Sequence, residues 1–156
     1  MFLTSGNFAT REQMDRLEKV INFQGSYLVY QKPETNEQFA VTCNTPDSVL
    51  SMLSSSGYEN AYRTADLTEV IDELPESVLV KIGDTNYTYH PHIFHCYNIV
   101  ALELSDIDEE NPYSVLKVFT GNRLMDAVVD SIEWIQSLRK DNFIIELPSD
   151  YITKKT

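Results

Sequence analysis

The spacing of apolar residues changes period several times along the chain, and each change marks an element. From residue 10 the period is helical: Met14, Leu17, Val20 and Ile21 fall on one stripe. Thr10 and Gln13 make a capping box at its start, and Gly25 can close it. Segment 26–31, with two tyrosines and a valine, is separated from 39–43 by a polar loop holding Pro33 and Asn36, which predicts a hairpin. Thr45 followed by Pro46 predicts a helix start, because proline lacks only an N–H that the first turn leaves unused. Val49, Leu50, Met52 and Leu53 follow, and Gly57 ends that helix. A short strand is expected over 58–63, and a third helix over 64–74, stopped by Pro75.

Beyond it the period is that of strands. Segment 78–82, a turn at 83–86 and segment 87–89 come first, and a long strand over 93–104 follows. An acidic loop leads through Pro112 to a strand over 113–119. Asn122 can cap the longest helix, which runs to about Lys140 with Leu124, Val128, Ile132, Ile135 and Leu138 as its core stripe. A last strand over 143–147 precedes a polar tail, 148–156. Strands joined by short turns predict an α+β class: a mainly antiparallel sheet of about five to seven strands with three to four helices packed on it. The expected extent is a single domain, 1–147, without repeat or linker.

The apolar arc of the last helix is wider than one sheet requires. Met125 and Val129 lie roughly 100 to 140° of rotation from Leu124 at 3.6 residues per turn, and Trp134 lies on the other margin. A second contact is therefore expected for this helix. It is either self-association into a homodimer through Met125, Val129 and Trp134, or a second layer from the chain's own first helix.

With 156 residues and 42% hydrophobic composition, the chain can bury a core without a disulfide or metal staple. Residues 1–13 show no basic start followed by an apolar stretch, and no apolar run approaches a membrane span. Cys43 and Cys96 are too few for a disulfide framework. These features lead to an expectation of a cytoplasmic chain with reduced thiols.

Charge changes the picture most. The net charge is −12, and residues 64–116 carry −10 of it, with Lys81 as their only base. Such a chain repels phosphate backbones and anionic membranes, so neither is an expected partner; a basic protein is. Asp66, Glu69, Glu73 and Glu76 recur at spacings of three and four, placing them on one face of the expected third helix. Asp106, Asp108, Glu109 and Glu110 crowd the loop after it, and Tyr58 and Tyr62 precede the helix. Tyrosine near carboxylates is a common interface composition. These ten residues are the expected partner-binding set. The competing reading is an ordinary solvated face.

Catalytic and cofactor signatures are incomplete. The five glycines are dispersed, which excludes a phosphate cradle and a dinucleotide fingerprint. Asp106 to Glu110 fails as a calcium loop, because Asn111 stands where glycine is needed and Lys117 where a bidentate Glu is needed. His90, His92, His95 and Cys96 form the most suggestive cluster. On one strand His90, His92 and Cys96 share a face, while Pro91 interrupts the ladder and no second cluster completes a metal site. No metal or cofactor is expected. The sequence reading is thus a non-enzymatic binding module that inhibits or masks a basic partner, such as a nucleic-acid-binding enzyme, in the manner of immunity or anti-defence proteins. A nucleic-acid mimic is its stricter form. The alternatives are a small hydrolase or metalloenzyme built on the His/Cys cluster and a structural, oligomeric subunit.

Overall fold

The structure, a computed structural model, describes residues 8–140 and 144–152. Among them are four α-helices and eight strands, an α+β arrangement as expected, with mostly antiparallel pairing. The strands divide between two sheets, of three and five strands, where the sequence pattern predicts one. Each sheet is built from strands that are consecutive along the chain. The chain falls into two compact units, residues 1–70 and 71–156.

In the first unit, α1 (Arg11–Val20) opens on the capping box: Gln13 N–H donates to Thr10 Oγ1 (3.1 Å) and Thr10 N–H to Gln13 Oε1 (3.0 Å). Met14 and Leu17 are buried beneath it. The helix stops at Val20, with the Ile21 N–H donating to Leu17 O, rather than at Gly25. Gly25 meets a different need. A Cβ there would lie 1.9 Å from the Thr64 carbonyl oxygen, so two backbones approach where no other residue fits. β1 (Tyr27–Lys32) is the central strand, flanked antiparallel by β2 (Glu37–Thr42) and β3 (Glu59–Thr64). Val29 and Tyr30 of β1 and Ala40 and Val41 of β2 are buried.

α2 (Asp47–Ser55) starts one residue later than expected. Pro46 keeps extended backbone and is the N-cap, while the Thr45 hydroxyl hydrogen-bonds Thr42 Oγ1 (3.3 Å). Its end is a Schellman motif: Gly57 has φ 92°, its N–H donates to Ser54 O (3.1 Å), and the Tyr58 N–H donates to Leu53 O (3.0 Å). α3 (Leu67–Ile71) has five residues, far short of 64–74. Thr64 completes β3 instead, with its hydroxyl donating to Ala9 O (2.6 Å). At the other end Leu74 precedes Pro75, a position that disfavours helical backbone.

In the second unit the strand order is β7-β6-β5-β4-β8, with β4 (Val78–Ile82), β5 (Thr85–Phe94), β6 (Ile99–Glu103), β7 (Val115–Thr120) and β8 (Ile144–Leu147). Among the described strands only β8 pairs parallel, with β4. The long strand expected over 93–104 is two strands of a hairpin: a 3₁₀ turn at His95–Tyr97 and left-handed Asn98 (φ 53°) separate β5 from β6. Pro91 does not interrupt β5. Residues 85–89 pair with β4, whereas 90–94 pair with β6 alone, so Pro91 lies where one side of the strand has no neighbour and a missing N–H is tolerated.

α4 (Leu124–Leu138) packs against β6, β7 and β8. Its N-cap is Arg123, not Asn122: the Asp126 carboxylate accepts the Arg123 backbone N–H (3.1 Å) and its Nε (3.3 Å). The Trp134 ring meets Phe119 edge-on at 6.0 Å, with Lys117 Nζ 5.5 Å from both ring centres. Of the expected tail, Ile152 is buried and 153–156 lie outside the described residues, as does Phe143 of the expected last strand.

Candidate functional site

The carboxylates expected on one helical face separate. Asp66 and Glu69 close the N-terminus of α3 as a capping box: Glu69 N–H donates to Asp66 Oδ1 (2.9 Å), and Asp66 N–H to Glu69 Oε1 (3.2 Å). Their remaining oxygens are also engaged, Asp66 Oδ2 by the Tyr27 hydroxyl (3.2 Å) and Glu69 Oε2 by Ser26 Oγ (2.6 Å). Partial burial, then the charge of Asp66, raises the Tyr27 phenol above its ordinary pKa. Glu73 and Glu76 lie beyond the end of the helix, so the row is not continuous.

Both tyrosines are held by neighbours within the chain. Tyr58 donates to Glu37 Oε2 (3.0 Å), meets Phe39 edge-on, and lies under Lys32 Nζ (5.5 Å). The hydrogen bond to Glu37 is the main reason its phenol is raised. Tyr62 carries the Arg11 guanidinium over its ring at 5.4 Å. On α4, Met125 and Val129 are fully buried by the chain itself, as are Val128, Ile132 and Ile135. An exposed self-association patch cannot include those two side chains.

The acidic loop keeps its side chains outward. Asp106, Asp108, Glu109 and Glu110 are all exposed, and Ile107 among them is 52% exposed. The backbone beneath is firmly tied. Buried Ser114 Oγ accepts the Asp108 N–H (3.1 Å) and donates to Asp108 O (2.8 Å), while Leu104 N–H donates to Ser114 O (2.9 Å). Asn111 Oδ1 accepts the Tyr113 N–H (2.9 Å), and Asp108 Oδ1 the Glu110 N–H (3.0 Å). Tyr113 stacks on Tyr87 at 5.0 Å, and its carbonyl accepts the buried Tyr89 hydroxyl (2.7 Å). Burial, with lesser contributions from Tyr87 and Tyr113, pushes the Tyr89 phenol far above its usual range. No described cation forms an ion pair with the loop carboxylates.

The histidine cluster is divided by the β5–β6 turn. His90 and His92 lie on β5, whereas His95 and Cys96 are exposed in the turn and do not join them. His92 Nδ1 is 2.8 Å from Glu103 Oε1, and its ring stacks on Phe94 at 4.2 Å. His90 bridges Glu76 O through Nδ1 (3.1 Å) and Ser105 Oγ through Nε2 (3.0 Å). His90, His92, Glu103 and Ser105 line an open groove of about 480 Å³. Among the described residues no three His, Cys, Asp or Glu side chains are grouped to hold a metal ion.

Sequence reasoning missed Glu103, Ser105, Ile107 and Ser114. A turn centred on Asn98, a residue that tolerates left-handed backbone, is the signal that would have paired His90 with Glu103. The fold defines an α+β protein with no helix among the described residues long and apolar enough to cross a membrane. No protein-family model matches the chain, and neither the curated proteins nor the solved structures contain a significant match.

Proposed function

We propose that the protein is an acidic binding module that docks on a basic protein through the loop carrying Asp106, Asp108, Glu109 and Glu110. The observation behind this reading is four exposed carboxylates around a half-exposed Ile107, on a backbone fixed by buried Ser114. A loop held in one shape loses little entropy on binding, and an apolar side chain ringed by charge can enter a partner's pocket while lysines or arginines meet the rim. Asp66, Glu69, Tyr58 and Tyr62 leave the expected partner set, because each is partly buried and held within the chain, whereas the four loop carboxylates are exposed. Glu73 and Glu76 have no part in the revised site.

The test compares wild-type protein with an Asp106→Lys, Glu109→Lys, Glu110→Lys variant as bait. Partners recovered by wild-type are identified by mass spectrometry, purified, and titrated against both proteins at several salt concentrations. The reading expects a steep loss of affinity with salt for wild-type and a large loss at all salt concentrations for the variant. Equal affinity of the two proteins for each recovered partner refutes it.

A further inference from the structure

We infer that Ser105 and His90 form a nucleophile–base pair that accepts acyl groups from small, reactive carboxylic esters. The inference is independent of the binding loop and rests on hydrogen-bond chemistry. A carbonyl oxygen can only accept, so the contact between Glu76 O and His90 Nδ1 fixes the ring proton on Nδ1. In the neutral ring Nε2 then carries a lone pair, and the group it faces at 3.0 Å is the Ser105 hydroxyl. A hydroxyl within reach of an imidazole lone pair, on a base oriented by a third group, is the arrangement that activates serine. Glu76 O takes the orienting place that a carboxylate often fills.

The surroundings favour access. Ser105 is exposed, and both side chains line the groove next to β5 and β6. Antiparallel pairing of His90 with Glu103 puts Ser105, two residues on, beside the imidazole. His92 is held by Glu103 and does not compete for the serine proton. In the reaction Ser105 Oγ attacks the ester carbonyl as His90 Nε2 takes its proton. The C–O bond to the alcohol breaks, and the alcohol leaves with that proton. Water then attacks the acyl-serine, giving its proton to His90, and Ser105 Oγ leaves and recovers it, releasing the carboxylic acid. No oxidant or metal is needed to balance these steps.

The experiment treats the full chain with a fluorophosphonate reagent and follows p-nitrophenyl acetate hydrolysis in parallel. Wild-type protein is expected to gain one phosphonyl adduct, located at Ser105 by peptide mass spectrometry, and to release nitrophenolate. Ser105→Ala should abolish the adduct. His90→Gln should slow labelling about 100-fold or more, as expected for loss of a general base. Ser105→Cys should retain acylation, and circular dichroism verifies that each variant is folded. Absence of an adduct at Ser105 in wild-type protein, or labelling at an unchanged rate in folded His90→Gln, overturns the inference.

Discussion

Replacing Asp66 with alanine separates a structural carboxylate from a docking one. The side chain accepts the Glu69 backbone N–H at 2.9 Å and the Tyr27 hydroxyl at 3.2 Å. Loss of an N-cap costs about 1 kcal/mol, within a span of roughly 0.5 to 2. Loss of a hydrogen bond to a partly buried phenol adds about 0.5 to 1.5 kcal/mol. Asp66→Ala should therefore destabilise the protein by about 1.5 to 2.5 kcal/mol. Asn caps as well as Asp, and its amide oxygen can still accept, so Asp66→Asn should stay within about 0.5 kcal/mol of wild-type. Urea titrations followed by ellipticity at 222 nm give both values from the midpoint and slope. A docking carboxylate would behave in the opposite way, with both variants stable and both impaired in association. An alanine variant within about 0.3 kcal/mol of wild-type, or an asparagine variant as damaged as alanine, refutes the capping argument.

Gly25→Ala should cost about 3 kcal/mol, the upper end for overpacking, because the new Cβ meets the Thr64 carbonyl oxygen at 1.9 Å and the Ala65 nitrogen at 2.7 Å, both backbone atoms that cannot swing aside; a Tm unchanged by this substitution would contradict the close approach. Ile132, fully buried in α4, should lose about 2 to 5 kcal/mol on truncation to alanine and about 0.5 to 1.5 kcal/mol on Ile132→Val, measured by the same urea titrations. The raised Tyr89 phenol means that folding favours its neutral form, so this group's stabilisation is present below the unfolded phenol pKa of about 10 and declines as pH rises above it. Tyr89→Phe should lower stability near neutral pH by about 1 to 2 kcal/mol, through the unpaired Tyr113 carbonyl, and should flatten the fall of Tm between about pH 10 and 12.

Elements whose signals are short-range were legible along the chain. The Thr10–Gln13 box, the hairpin turning before Glu37, the Gly57 stop and the core stripe of α4 from Leu124 to Ile135 all depend on groups a few residues apart, and each stands where the pattern placed it, whereas Leu138, expected to complete that stripe, is exposed at the helix end. Net charge and its confinement to the middle of the chain were also legible, since both are sums over residues. Which carboxylates are held and which stay exposed depends on long-range contacts. Asp66 and Glu69 have the same side-chain chemistry as Glu109 and Glu110, but the hydroxyls of Tyr27 and Ser26 reach them from 39 and 43 residues away. The turn at Asn98 likewise decided the fate of the histidines: it ended β5, carried His95 and Cys96 away from His90 and His92, and brought Glu103 and Ser105 to them. A single left-handed residue redirects the chain, and its consequence is a set of contacts between residues 11 to 15 apart that no local period encodes.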